Sequence, residues 1–378
     1  MGPLAGVRVI ELAGIGPAPF AAMLLGDLGA DVVRVDRPGP AAFTGLESVT
    51  GRNRRSIALD LKNPQAIEVA LDLVATADVL LEGMRPGVTE RLGLGPERCM
   101  ERNPGLVYGR MTGWGQQGPN QDRAGHDINY IALAGALGAI TGSDGKPVVP
   151  LNLVGDFGGG SLFLVVGVLA ALVERGSSGR GQVIDAAMVD GVASLTTMFH
   201  ELRALGLWGE KPGNNLLDGG APFYDTYETA DGSWMSVGAL EPQFFAVLLE
   251  RLAIEGFPVA AQYDRTRWPE LRHQIDTVFR THTRDEWATI FGDSDACVWP
   301  VLALEEAPAH PANVARGVFA DVAGVVQPGV APRFSRSSDR TLRPAPDPGA
   351  DTGTLLSGLG YAPDRIADLH ATGAVFSA

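Results

Sequence analysis

The chain has 378 residues, 45% of them hydrophobic, more than a single core usually organises, so two domains are expected. Its 30 basic and 44 acidic residues leave a formal charge of −14, which argues against nucleic acid or an anionic membrane as the main partner and requires any anionic ligand to find a local basic patch. Cys99 and Cys297 lie far apart with no Cys-x-x-Cys spacing, so neither a disulfide framework nor a zinc knuckle is indicated, and a reducing, cytoplasmic setting is expected.

The N-terminal residues show no basic segment followed by an apolar one, and position 6 is Gly rather than Ser or Thr, so neither a signal peptide nor myristoylation is expected. Val7 to Glu11 reads as a strand, Gly14 to Pro19 as a turn, Phe20 to Leu28 as a helix and Asp31 to Val35 as a second strand, which together form a βαβ unit. Strand candidates Ser56 to Leu59, Ala77 to Leu81 and Leu106 to Arg110 continue the pattern, separated by helical stretches such as Pro64 to Ala75. Such alternation predicts an α/β fold with a mostly parallel sheet covered by helices. Further helices are expected over Asp127 to Leu137, Phe157 to Glu174 and Met188 to Leu205. The longest apolar stretch, Leu162 to Val173, is too short to span a bilayer.

Gly206 to Pro222, rich in Gly, Asn and Pro, reads as a linker or crossover. Beyond it a strand is expected at Trp234 to Val237, a helix at Glu241 to Leu252, and two helices over Trp268 to Phe291 divided by Thr281 to Thr283, enough for a smaller α+β domain. Val318 to Val326 reads as a strand returning to the first domain, and Ser335 to Gly349 as extended coil. The expected division is therefore a large domain from 1–205 and 317–378, a linker at 206–224 and a small domain at 225–316.

Three groups of residues carry chemistry. Gly14-Ile15-Gly16 is superficially like a dinucleotide fingerprint, but Pro19 stands where the third glycine belongs, so a tight strand-to-helix turn is the simpler reading. The segment Arg34 to Lys62 holds six basic residues (Arg34, Arg37, Arg52, Arg54, Arg55, Lys62) against three acidic ones (Asp36, Glu47, Asp60). An island of this kind suits a polyphosphate, with Arg85 and Arg91 extending it, and the alternative is an ordinary ion-paired face. The third group joins Gly125-His126-Asp127-Ile128-Asn129-Tyr130 to Asp156-Phe157-Gly158-Gly159-Gly160. Each of these segments puts an ionisable side chain at an expected helix start beside glycines, and the triple glycine implies a close approach there, since each glycine weakens a helix by about 1 kcal/mol relative to Ala. Asp127 and Asp156 are also possible N-caps. Metal binding and a serine nucleophile lack their sequence patterns.

Gly26-Asp27-Leu28-Gly29-Ala30-Asp31-Val32-Val33, Gly51-Arg52-Asn53-Arg54-Arg55-Ser56, Leu59-Asp60-Leu61-Lys62, Arg85-Pro86-Gly87-Val88 and Met111-Thr112-Gly113-Trp114-Gly115 are similar to motifs of the family III CoA-transferases. The chain resembles that superfamily from end to end, and the segment Gly125 to Tyr130 resembles its α-methylacyl-CoA racemase branch, because transferases of the superfamily generally lack the histidine. The resemblance implies a Rossmann-like large domain, a smaller second domain, an interlocked homodimer and a role in lipid metabolism. It implies an acyl-CoA substrate held by Arg37, Leu59, Asp60, Leu61, Lys62, Gly83, Met84, Arg85, Arg91 and Gly125 to Tyr130, with no separate cofactor. By the same resemblance His126 and Asp156 carry protons to and from C2, and Glu241 holds His126. In the transferases the aspartate matched by Asp156 is instead the nucleophile that forms an acyl-enzyme anhydride.

A histidine and a carboxylate facing one carbon from opposite sides would invert it by a 1,1-proton transfer. With free pKa values of roughly 6.5 and 3.9, the pair is poorly matched for reversible exchange, so burial of Asp156 is expected to raise its pKa. Backbone N–H groups near Asp127 are expected to stabilise the enolate oxygen. A catalytically silent acyl-CoA-binding protein is the remaining alternative, although binding alone needs none of His126, Asp156 and Glu241.

Overall fold

The computed structural model describes residues 1–39, 47–142, 145–337 and 341–378. It divides into two units, one comprising 1–134, 151–195 and 311–378, the other 135–150 and 196–310. Relative to the expected boundaries, 135–150 and 196–205 fall in the second unit and 311–316 in the first.

The first unit is built on β1 (Arg8–Leu12), β2 (Asp31–Asp36), β3 (Arg54–Leu59), β4 (Val79–Glu82), β5 (Val107–Thr112) and β6 (Val183–Ala187). They pair in parallel in the order β3-β2-β1-β4-β5-β6, the doubly wound order whose direction reverses between β1 and β4. Apart from β6, whose Val183 and Asp185 are exposed, the strands are largely buried on both faces, which is why they read as apolar runs. Successive side chains enter opposite layers: Ile10, Val33 and Leu80 join the helix Pro64–Ala75 and the C-terminal Leu355, Leu356 and Leu369. Val9, Val32 and Leu81 meet the helices Pro17–Asp27 and Phe163–Ser178. Each fully buried Leu or Ile contributes about 1.5–3 kcal/mol, so a one-residue slip of any strand would exchange the two layers at large cost.

β6 was not expected from the sequence, since Val183-Ile184-Asp185-Ala186-Ala187 is short and neither alternating nor uniformly apolar. The helix expected over Asp127 to Leu137 stops at Leu133, before Gly135 at φ 85°, and the one expected over Met188 to Leu205 is two helices, Met188–Leu195 and Thr197–Ala204. The apolar stretch at Leu162 to Val173 belongs to a longer run, Leu153–Ser178, whose 26 residues are by length and composition alone sufficient to cross a membrane. Its inner face, with Leu164, Val165, Val168 and Ala171, is buried against the sheet, while Leu162, Val166 and Val173 are exposed.

In the second unit β7 (Tyr224–Glu228), β8 (Trp234–Gly238) and β9 (Val298–Pro300) form an antiparallel sheet. The helices Pro242–Arg251, Trp268–Phe279 and Arg284–Phe291 supply Phe245, Phe279 and Trp287 to its core. The break between the last two is the expected one, closed by a capping box in which Thr283 and Glu286 satisfy each other's backbone N–H. The segment expected as a linker folds on itself: Asn215 is buried, its Oδ1 accepting from Gly209 N–H at 2.7 Å and its Nδ2 donating to Asp218 at 2.8 Å.

Returning to the first unit, Val318 to Val326 is not one strand. It is a hairpin of β10 (Phe319–Val322) and β11 (Val325–Pro328), turned by Ala323 and Gly324 at φ 53° and 84°, and it forms a separate two-stranded sheet. The strand that does join the main sheet is β12 (Val375–Phe376), antiparallel to β3. Part of Ser335 to Gly349, residues 338–340, lies outside the described residues, and the rest holds no helix or strand.

Much of the basic island is internal. Arg54 pairs with Glu11 and Arg52 with Asp27, all four side chains buried, and Arg52 also donates to Gln327 and the Pro328 carbonyl on the hairpin. Arg55 pairs with Asp31 at the sheet edge. These arginines hold strands and hairpin together and are not available as a phosphate site, a correction to the reading of the island as one ligand-binding cluster.

Candidate active site

The loops that follow β1 and β4 at their carboxyl ends line a cleft of about 360 Å³, where a doubly wound sheet leaves its crevice. Gly16 and Pro17 come from the first loop, Gly83, Met84 and Arg85 from the second. Gly125, His126, Tyr130, Asp156 and Met111 to Trp114 complete its lining. The cleft thus brings together seven of the residues expected at the site.

His126 is the extended residue that precedes the helix Asp127–Leu133, and its N–H donates to Asn129 Oδ1 at 3.0 Å. The Tyr130 hydroxyl donates to the Gly125 carbonyl, and its ring meets Trp114 edge-on at 4.8 Å. A Cβ at Gly125 would stand 2.7 Å from the Tyr130 ring, and one at Gly113 2.1 Å. These glycines therefore make room for an aromatic side chain of the same unit.

Asp156 lies in the first turn of Leu153–Leu162, a stretch of π-helical geometry that frequently marks functional sites. Burial raises its carboxyl above the ordinary aspartate range, opposed by a hydrogen bond from Asn152 Nδ2 at 3.1 Å, and the Asp127 charge adds to the rise while His126 opposes it. The expected direction is met. Gly16 lies beside Asp156 in a left-handed backbone conformation (φ 78°) that favours glycine, and a Cβ there would make only ordinary contact, 3.5 Å, with Asp156 Oδ2.

The glycines after Asp156 serve helix packing. A Cβ at Gly159 would stand 2.6 Å from Val192 Cγ2, and one at Gly160 2.9 Å from Met188 and 3.3 Å from Pro17. The close approach implied by the sequence is made by the helix Met188–Leu195 and by Pro17.

Asp127 is buried and does not line the cleft, and its Oδ2 accepts the N–H groups of Gly155 at 2.6 Å and Asp156 at 2.7 Å. That oxygen is occupied by protein. Ile128 and Asn129 are exposed on the same helix, the latter already accepting from His126 N–H. On the second loop, Glu82 accepts the Met84 N–H at 2.7 Å and Arg110 Nε at 2.9 Å, which fixes Gly83 to Arg85.

A second cleft in the same unit, about 410 Å³, is lined by Leu61, Lys62 and Arg91 together with Arg98, Glu68 and Glu90. Arg98 is paired with Glu68, leaving Lys62 and Arg91 as its exposed cations with no ion pair among the described residues. Leu59 is a fully buried strand residue, Asp60 accepts the Lys62 N–H in the following turn, and neither lines this cleft. Arg37 is exposed after β2 and lines neither cleft. Glu241 is the exposed N-cap of Pro242–Arg251 in the second unit, and its carboxylate has no hydrogen-bond partner among the described residues. Sequence reasoning missed Asn152, which nothing in its surroundings marks, and Gly16, whose turn was recognised but not its place beside Asp156. Among the described residues no three His, Cys, Asp or Glu side chains are grouped to hold a metal ion.

The sequence pattern of CoA-transferase family III matches residues 4–352. The chain belongs to that family. Among family members, the alpha-methylacyl-CoA racemase of Mus musculus is 47% identical over 370 residues, covering 97% of this chain and 96% of its own. The alpha-methylacyl-CoA racemase of Homo sapiens is 44% identical over 383 residues, with the same coverage. The human succinyl-CoA:glutarate CoA-transferase is 29% identical over 99% of this chain and 90% of its own. The crystal structure of a CaiB/BaiF family protein from Brucella suis matches with a TM-score of 0.80 at 27% identity, over 95% of this chain and 99% of that one.

Proposed function

We propose that this family III protein is an isomerase that interconverts (2R)- and (2S)-2-methylacyl-CoA thioesters by 1,1-proton transfer through an enolate. The observation that carries the reading is the joint presence, in one cleft, of His126 and an Asp156 whose burial raises its proton affinity. The high identity to two racemases over nearly the full chain supports it. A carboxyl raised above its ordinary range more readily holds the proton that it returns, and the two groups exchange roles with direction. The amides of Asp127 and Ile128 open the helix and have no intrahelical acceptor, which suits them to the enolate oxygen. No redox cofactor or metal enters this step.

The CoA moiety is assigned to Arg85 and the backbone of Gly83 and Met84 in the first cleft, and to Lys62 and Arg91 for its anionic end. We place Glu241 of a second copy against His126 in an interlocked homodimer. The Glu241 carboxylate, without a hydrogen-bond partner among the described residues, and the exposed apolar side chains Leu162, Val166 and Val173 support that assignment. A cytoplasmic setting, with both cysteines unpaired, and a role in lipid metabolism belong to the same proposal.

Incubation of a 2-methylacyl-CoA in D₂O tests the function: deuterium enters C2 as configuration scrambles, and absence of exchange across a panel of branched acyl-CoA esters overturns it. His126→Ala and Asp156→Ala each abolish racemisation while CoA binding persists. Trapping an acyl-enzyme at Asp156 with hydroxylamine, dependent on an acyl-CoA donor, would instead place the chain with the transferases of its family.

A further inference from the structure

The helix start that follows one proton carrier and the helical turn that bears the other are joined by a side chain that the proposed chemistry does not use. Asp127 follows His126 directly in sequence, is buried, and accepts two amide N–H groups with a single oxygen, those of Gly155 and of Asp156 itself. Its other oxygen, Oδ1, is also buried and has no hydrogen-bond partner among the described residues. The neighbouring backbone is shaped to admit it, since a Cβ at Gly155 would stand 2.5 Å from Asp127 Oδ2. A buried carboxylate used in this way is costly unless the contacts it makes are required.

We propose that Asp127 is a positioning residue that clamps the peptide of Asp156 to the helix start of His126, and thereby fixes the two proton carriers on opposite faces of the substrate carbon. The inference rests on the racemase reading. Its logic is geometric: inversion needs both groups aligned with C2 at once, whereas exchange without inversion needs only one of them to remove and return a proton. Loosening the clamp therefore penalises inversion more than exchange.

The charge of Asp127 gives a second, independent readout. Asp156 is faced by Asn152 on its own helix, by Asp127 and His126 from the neighbouring segment, and by Tyr130, which in turn feels Arg85. Among these Asp127 pushes the Asp156 carboxyl up, so replacing it with a neutral isostere moves that limb of the pH–rate profile to lower pH.

The experiment measures C2 deuterium wash-in and loss of configuration on the same 2-methylacyl-CoA for the wild type, Asp127→Ala, Asp127→Asn and Gly155→Ala. A misplacement of the order of 1 Å costs about 100-fold in rate, so Asp127→Ala is expected to lose about that much racemisation, with KM changed less than about threefold. Its ratio of exchange to inversion rises above that of the wild type. Asp127→Asn retains more activity, with its Asp156 limb shifted down. A uniformly smaller folded fraction would lower both rates together and leave the ratio and the pH profile unmoved, and that result overturns the inference, as does wild-type behaviour of Asp127→Ala. If the Asp127 variants do not fold, Gly155→Ala decides by the same ratio. Absence of exchange in the wild type refutes the racemase reading itself and is thereby distinguishable.

Discussion

The Arg54 guanidinium forks onto the Glu11 carboxylate, Nε to Oε2 at 2.5 Å and Nη2 to Oε1 at 3.2 Å, and solvent reaches neither side chain. Further bonds run from Arg54 to the carbonyls of Pro19 and Thr50, so this one residue ties β1, the helix beside the cleft and the entry to β3. Removing one member of a buried pair leaves the other charge stranded, which costs about 3–5 kcal/mol. Arg54→Met is expected to lose stability on that scale in urea denaturation, and Glu11→Leu combined with Arg54→Met to regain most of it. Burial already pushes the Glu11 carboxyl up, so without Arg54 the loss grows as pH rises, and a single-variant loss below about 1 kcal/mol would contradict the account.

Helix contact at the turn that carries Asp156 gives a paired prediction. A Cβ at Gly191 would stand 1.8 Å from the Gly159 carbonyl oxygen, so Gly191→Ala must push the two helices apart, at about 1–3 kcal/mol and with a fall in C2 exchange. Gly176→Ala, at an exposed position of the helix Phe163–Ser178 with no described residue within 4 Å of the new Cβ, is expected to gain about 0.5–1 kcal/mol and leave exchange unchanged. Thermal denaturation of the two variants side by side checks the contrast.

Asp156 sets a pH dependence whose sign is determined. Its carboxyl is raised in the folded protein, so between its unfolded and folded pKa values the native state holds more protons than the unfolded one. The group's contribution is then present at low pH and lost as pH rises through the folded value. Asp156→Asn is expected to raise Tm at neutral pH, by about 1 °C or more, and to lose that advantage near pH 4. Calorimetry at both pH values checks this, and an equal shift at each would place the effect outside the ionisation.

Lys62 and Arg91 in the second cleft are expected to bind an anion. Lys62→Ala and Arg91→Ala should each raise KM for the acyl-CoA ester by about tenfold with kcat unchanged, the signature of uniform binding, and weaken its dependence on salt. Steady-state kinetics at two ionic strengths checks this, and a fall in kcat alone would remove both residues from the binding role.

The parallel sheet was legible because Val9-Ile10, Val32-Val33 and Leu80-Leu81 must be buried on both sides, a demand that shows directly as apolar runs. His126 and Asp156 were legible through their neighbours. The neighbours' purpose was not. Gly125 and Gly159 signal a close approach equally well whether a ligand or Tyr130 and Val192 come near, and only three-dimensional packing separates the two. Arg52 and Arg54 read as a basic surface because their partners, Asp27 and Glu11, lie 25 and 43 positions away. β7 and β12 escaped notice for a related reason, since Tyr224–Glu228 is polar and half-exposed and two-residue β12 has no periodicity to detect.

The strand β12 has a consequence for how the chain is made. Its two residues cap the free edge of β3 at Leu59 and Ala58, more than 300 positions upstream. During synthesis that edge, with the apolar helix faces later covered by Leu355, Leu356 and Leu369, waits while the residues of the second unit emerge and can fold ahead of it. Chains stalled before residue 350 would carry a largely formed sheet with an open edge, the species most prone to pair with another nascent copy.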